Sequence, residues 1–299
     1  VNPPSVNPPF VRKAVKTKAT TKAPTKAAVK AKLHKASEDS SRVVVTVDVG
    51  NSHTVIGIFR GEEIVEYWRL TSRAAATADE VFLRVSGLVN RSSVKPTEVT
   101  HLGLSTVVPM LERTWVKALD FFFHKPVQVV SDHNCLGLKI AYRNPSLLGA
   151  DRIANAIAMK TMGLKNGICI DMGSATNFDV LREGMFQGGV IIPGINASMD
   201  VLIQKAARLM PVTLDWPEHF IADNTDDALR AGILFGFMGQ LEYLLAGIRY
   251  EMRLKEHVPV FATGGWSEIL MNKSNTIDTY DPYLTLRGIR EVAIFGNAT

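Results

Sequence analysis

The feature that most constrains this chain is a local unit that occurs twice. At Arg42 a Lys- and Pro-rich stretch gives way to Val43-Val-Val-Thr-Val47, an apolar, β-branched run that reads as a buried strand. It runs into Asp48-Val-Gly-Asn-Ser-His-Thr54, then a second apolar strand, Val55-Ile-Gly-Ile-Phe59. A turn at Arg60-Gly61-Glu62 precedes a third strand from Ile64 to Leu70. The order returns at Asn166-Gly-Ile-Cys-Ile170, followed by Asp171-Met-Gly-Ser-Ala-Thr-Asn177, a strand at Phe178-Asp-Val-Leu181, a turn at Arg182-Glu-Gly184 and a further strand from Met185 to Ile192. Asp48/Gly50 and Asp171/Gly173 hold equivalent places. Such a duplication predicts two similar α/β domains, 42–148 and 149–299, facing each other across a cleft with both aspartates in it.

Between and after the repeats, apolar spacing predicts helices over 78–90, 110–122, 196–208, 225–256 and 267–273, and strands over 101–107, 127–130 and 259–262. At 299 residues and 46% hydrophobic, the chain is long enough to bury a core in each half without staples. Cys135 and Cys169 form no disulfide framework or zinc spacing, which fits a reducing cytoplasm. The apolar window from Gly232 to Ile248 is interrupted by Gln240 and Glu242, so no membrane span is expected.

The formal charge of +5 is unevenly placed. Residues 1–42 hold ten Lys/Arg and two acids, a net of +8, which leaves −3 for the rest. Residues 1–41 lack any apolar period and are expected to be disordered. Three readings fit them: a passive leader, a basic tether to nucleic acid, or an organelle transit peptide. Only this tail, and not the slightly acidic body, has the charge to meet a polyanion.

The repeated unit carries chemistry. A carboxylate at a strand end sits at the mouth of a cleft, and Gly50 lets the backbone turn tightly there. The following N–H groups and the Asn, Ser and Thr side chains are donors for phosphate oxygens. Asp48 meets phosphate favourably only through a bridging cation, which points to Mg2+ held against a nucleotide. Either unit alone also reads as an ordinary Asp-Gly turn; the pair together is what two facing phosphate hairpins require. Thr263-Gly-Gly265 after a strand offers bare backbone to a nucleoside, or is simply a turn. Asp151 reads as an acid in the first turn of a helix, a place acids favour. No Walker loop, protein-kinase loop or dinucleotide Gly-x-Gly-x-x-Gly is present.

The series Asp48-Val-Gly-Asn-Ser-His-Thr54, Gly149-Ala-Asp-Arg152, Asp171-Met-Gly-Ser-Ala-Thr176, Gly188-Gly-Val-Ile-Ile-Pro-Gly194 and Thr263-Gly-Gly265 resembles the type III pantothenate kinases, from about Val43 to Ala293. The resemblance implies a ribonuclease H-like, actin-like ATPase fold in both domains. It implies transfer of the γ-phosphoryl group of ATP to pantothenate, with Mg2+ and a monovalent cation (K+ or NH4+), by a homodimer. It implies ATP binding by Asp48, Val49, Gly50, Asn51, Ser52, His53, Thr54 and Val55, with Asp48 near Mg2+ and Ser174 reaching the nucleotide. Asp151 becomes the general base. Tyr142, Gly149, Ala150 and Arg152 line the pantothenate pocket, Arg152 facing the carboxylate, and Asp171 binds the monovalent cation. Ser174 and Asn177 stand where the family usually has Thr. Ala206 takes the place of a substrate-binding Thr, and Met210 is inserted before Pro211. Two other functions use the same scaffold: a non-catalytic nucleotide- or metabolite-binding regulator, and a kinase of another small hydroxy acid.

Overall fold

The computed structural model describes residues 42–296; the tail readings lie outside the described residues. In the first sheet, β1 (Val43–Val49), β2 (His53–Arg60) and β3 (Glu63–Thr71) form an antiparallel meander. β4 (His101–Thr106) and β5 (Val127–Val129) extend it in parallel beyond β1, in the order β3-β2-β1-β4-β5.

The second sheet repeats the plan. β6 (Lys139–Ile140) forms its edge beside the third strand of a meander made by β7 (Gly167–Met172), β8 (Ala175–Arg182) and β9 (Met185–Pro193). β10 (Val260–Gly264) and β11 (Thr279–Tyr280) extend it in parallel beyond β7. The fold is the duplicated actin-like α/β arrangement.

Strand alternation then places the aspartates. In β1, Val43, Val45, Val47 and Val49 belong to a core shared with Val81, Val85, Leu111 and Trp115 of α1 (Ala78–Val89) and α2 (Pro109–Phe123). Asp48 therefore points the other way, with Val44 and Thr46. In β7, Ile168, Ile170 and Met172 pack on α5 (Thr225–Met252), which sends Cys169 and Asp171 to the opposite face. Those two opposite faces are covered from within by α3 (Ala150–Thr161) and α7 (Leu284–Phe295). One central core joins Val44 and Phe59 of the first sheet to Leu181 and Phe186 of the second through Ile153, Ile157, Leu286 and Ile289.

Several boundaries differ from the sequence expectation. The helix expected over 196–208 is α4 (Ile195–Lys205), and Ala206 is its C-cap in extended conformation (φ −113°, ψ 98°). The helix expected over 225–256 stops at Met252, where Arg253 turns left-handed (φ 52°). The helix expected over 267–273 is the short α6 (Ser267–Met271). By length and composition α5 is apolar enough to cross a membrane, contrary to the window reading. It is a core helix: Leu234, Phe237, Leu241 and Leu245 pack into the second half's own core.

Candidate active site

The two antiparallel hairpins end at the same place. Beyond Asp48, Gly50 N–H donates to the His53 carbonyl at 3.0 Å; beyond Asp171, Gly173 N–H donates to the Ala175 carbonyl at 3.0 Å. Their tips meet: Ser52 Oγ and Ser174 Oγ, 122 residues apart, lie 2.7 Å from each other. The two hydroxyls hydrogen-bond to each other across the tips, which leaves one O–H proton for an anion lying in front of them.

Behind the tips stand three carboxylates, Asp48, Asp151 and Asp171, each half-buried. Burial pushes Asp48 up to about 8, and the neighbouring Asp151 and Asp171 push the same way. The Ser105 hydroxyl, opposite Asp48 in the β1–β4 register, pulls it down by less. Asp171 is raised to about 6 by burial and Asp151, and is eased by the Asn155 amide at 3.4 Å and the charge of Arg69. Three desolvated, mutually repelling carboxyls make the cleft a place where cations are favoured. Among the described residues no three His, Cys, Asp or Glu side chains stand close enough to hold a metal by themselves. A cation here therefore takes part of its shell from water or ligand oxygens.

Asp151 stands in the first turn of α3, whose N-cap is Gly149. Its Oδ1 accepts from the Arg152 N–H at 2.8 Å. A Cβ on Gly149 would sit 2.4 Å from that oxygen, so glycine is what lets the carboxylate fold back over the helix start. Burial raises the Asp151 pKa. Arg152 points inward: Nε donates to Asp179 Oδ1 at 2.6 Å, and Asn155 donates to Asp179 Oδ2 at 3.4 Å. Its Nη2 is buried with no hydrogen-bond partner. The guanidinium lies over the Phe186 ring, 5.5 Å from the centroid, and Phe186 is tilted against Tyr142 at 6.3 Å. Gly189 passes beneath; a Cβ there would meet the Phe178 carbonyl at 1.6 Å and Nη2 at 3.1 Å.

The residues expected at the site sort as follows. Gly149, Ala150, Asp151, Arg152 and Tyr142 form one group, and Asp48, Asp171, Ser52 and Ser174 a second beside it. Asn51 and His53 are exposed at the first tip, and Gly50 and Val55 are half-buried. Val49 is buried in the core under α1 and α2, and the Thr54 hydroxyl is held by Ser72 at 2.9 Å. Neither of these two side chains faces a ligand, and the backbone of both runs in the β-ladders. Ala206 sits at the end of α4, half-buried. Sequence reasoning missed Asp179 and Asn155. Asp179 lies in an apolar strand with no motif around it, and only the fold brings it to Arg152; Asn155 stands one turn after Arg152 on the same helix, just past the Gly149-Ala-Asp-Arg152 block.

The type III pantothenate kinase family model matches residues 44–247. Relatives of that description include a protein of Acidothermus cellulolyticus, 36% identical over 250 residues that span 83% of this chain and 96% of the relative. Another, from Geobacillus thermodenitrificans, is 36% identical over 255 residues, 83% of this chain and 96% of that one. Among solved structures, a Campylobacter jejuni protein assigned to the Baf family of transcriptional activators superposes with a TM-score of 0.52 at 21% identity, over 83% of this chain and 96% of its own; the likeness is one of fold.

Proposed function

We propose the following division of labour from the premise that this chain belongs to the type III pantothenate kinase family, ATP-dependent enzymes of the first step of coenzyme A biosynthesis. Phosphoryl transfer asks mainly for positioning and charge compensation. The polyphosphate lies at the hairpin tips, taking N–H groups of the exposed turn around Asn51 and Ser52 and the hydroxyl proton left over from the Ser52–Ser174 hydrogen bond. Asp48 faces Mg2+ through its water shell. The fit is electrostatic: among the described residues Asp48 has no ion-pair partner, and burial with the neighbouring Asp151 and Asp171 raises its pKa, an environment that a cation relieves. Asp171, with Asn155 on one oxygen, offers the other to a monovalent cation, K+ or NH4+. Bound cations neutralise phosphate charge as it shifts toward the leaving group.

Asp151 accepts the proton of the attacking pantothenate hydroxyl. Its Oδ1 is fixed by the helix, which leaves Oδ2 for the substrate, and burial moves its pKa in the direction that strengthens a base. The single observation that carries the substrate assignment is the buried, partnerless Nη2 of Arg152. A buried guanidinium N–H without an acceptor is costly, and a substrate carboxylate supplies the acceptor. Tyr142 and Phe186 form the apolar wall beside it.

The same reading includes a homodimer. Its support is α5, which buries one side in the core yet exposes Tyr243, Tyr250 and the open faces of Gly232, Gly236 and Gly239, beside exposed Val201 and Leu202 of α4. Ala206, at the end of α4, is where a partner subunit's pocket meets this surface. Two free, buried cysteines fit a cytoplasmic enzyme.

The test is Asp151→Asn, which keeps size and packing and removes the proton acceptor. Turnover of pantothenate falls by about 100- to 10,000-fold while ATP affinity stays near wild type. Unchanged turnover with the fold intact removes Asp151 from the base role.

A further inference from the structure

Arg69 lies in β3, opposite Val55 of β2, and its side chain crosses from the first half to the second. It stands over the Thr263-Gly-Gly265 turn that ends β10: a Cβ placed on Gly265 would meet Nη1 at 3.4 Å and Nη2 at 3.9 Å. Its charge is felt at both hairpins. It lowers the pKa of His53 at the first tip, second to burial there, and it pulls down Asp171 below the second. Yet the side chain is exposed and has no hydrogen-bond or ion-pair partner among the described residues. Arg60, Arg152 and Arg287, by contrast, each hold an acid at 3.0 Å or less. A guanidinium with five unused donors thus stands between a phosphate hairpin and a bare-backbone turn, at the mouth of the cleft.

We propose that Arg69 is a nucleotide-phosphate clamp, donating its planar fork to the phosphate nearest the ribose when ATP lies between the hairpins. The proposal rests on the reading of this cleft as the ATP site. The position selects that phosphate: the hairpin tips hold the far end of the chain, and the Gly264-Gly265 turn receives the nucleoside. The fork geometry suits two phosphate oxygens at once, which a lysine ammonium does not match. Because Arg69 belongs to the first half and the turn to the second, binding through it ties the two together around the nucleotide. Arg69 touches neither Asp151 nor the Arg152 pocket, so it has no part in holding pantothenate.

Direct titration of Mg-ATP, Mg-ADP and adenosine into wild type, Arg69→Met and Arg69→Lys tests this. Arg69→Met is expected to bind ATP and ADP about 10- to 100-fold more weakly, the loss of a charge-assisted pair of hydrogen bonds. Adenosine binding, the Michaelis constant for pantothenate and the ligand-free melting temperature stay at wild type, and Arg69→Lys recovers part of the loss. Wild-type ATP affinity in Arg69→Met overturns the proposal. So does an equal loss for adenosine, which would make Arg69 a platform for the base. Failure of the wild type itself to bind ATP would overturn the ATP-site reading and this proposal with it.

Discussion

Two residues before each cleft aspartate, the first hairpin pairs Thr46 with Gly57 and the second pairs Cys169 with Asp179. The rung is the same, and the contents differ. Under the first hairpin, Gly57 leaves room for Leu286 of α7, and a Cβ there would lie 2.8 Å from its Cδ1. Under the second, Asp179 grips Arg152 of α3 at 2.6 Å. The first turn holds three residues between its strands and the second two, so the tips are offset and still meet at Ser52 and Ser174. The aspartates differ in step. Asp48 has the Ser105 hydroxyl in its favour and stands near 8, whereas Asp171 has Asn155 and Arg69 and stands near 6. The duplicated backbone thus carries two different environments, set by the helix laid beneath each hairpin: α7 puts the apolar Leu286 against Gly57, and α3 puts Arg152 against Asp179.

The largest way to break this contrast is to remove the charge beneath the second hairpin. Asp179→Ala leaves Arg152 buried without its partner and is expected to cost about 3–5 kcal/mol of unfolding free energy. Denaturant unfolding measures this. Asp179→Asn, which keeps a hydrogen-bond acceptor, should fold and raise the Michaelis constant for pantothenate while leaving that for ATP unchanged. A cost under about 1 kcal/mol for the alanine variant would mean the pair does not hold α3 in place.

A smaller effect sharpens the difference between the two aspartates. A carboxyl raised above its unfolded value binds its proton more tightly in the folded protein, so it destabilises the fold as pH rises past the unfolded value. Without ligand, stability should therefore fall between about pH 4 and 6 through Asp48, Asp171 and Asp179, continue to about pH 7 through Asp48 and Asp179, and reach pH 8 through Asp48. Asp48→Asn should flatten the upper part of that slope and gain about 1–3 kcal/mol at pH 8, discounted for the open cleft. Melting curves across pH read it directly; a slope above pH 7 that persists in Asp48→Asn assigns it elsewhere.

The duplication was legible because it was written in strand alternation and glycine turns, both local signals. So was the Gly149-Ala-Asp-Arg152 block, a contiguous motif. Asp179 was not, since it reads as one polar residue in an apolar strand, and its partner lies 27 residues away on a helix. The final helix, α7, was missed for a local reason. Its N-cap, Tyr283, makes no side-chain cap, and Gly288 interrupts the helical pattern. That glycine is there because a Cβ would sit 1.9 Å from the Ala154 carbonyl of α3, a contact no sequence window contains. The run through Arg208 looked helical by propensity, and the chain nevertheless leaves the helix at Ala206.

The central claim, that the two hairpin aspartates serve different cations, is tested by crossing two variants with two ligands. Melting-temperature shifts of wild type, Asp48→Asn and Asp171→Asn are compared on addition of Mg-ATP alone and of K+ alone. Asp48→Asn should lose most of the Mg-ATP shift and keep the K+ shift. Asp171→Asn should lose the K+ shift and keep that of Mg-ATP. Equal loss of both shifts in both variants would contradict the claim, because the two carboxylates would then serve one shared site.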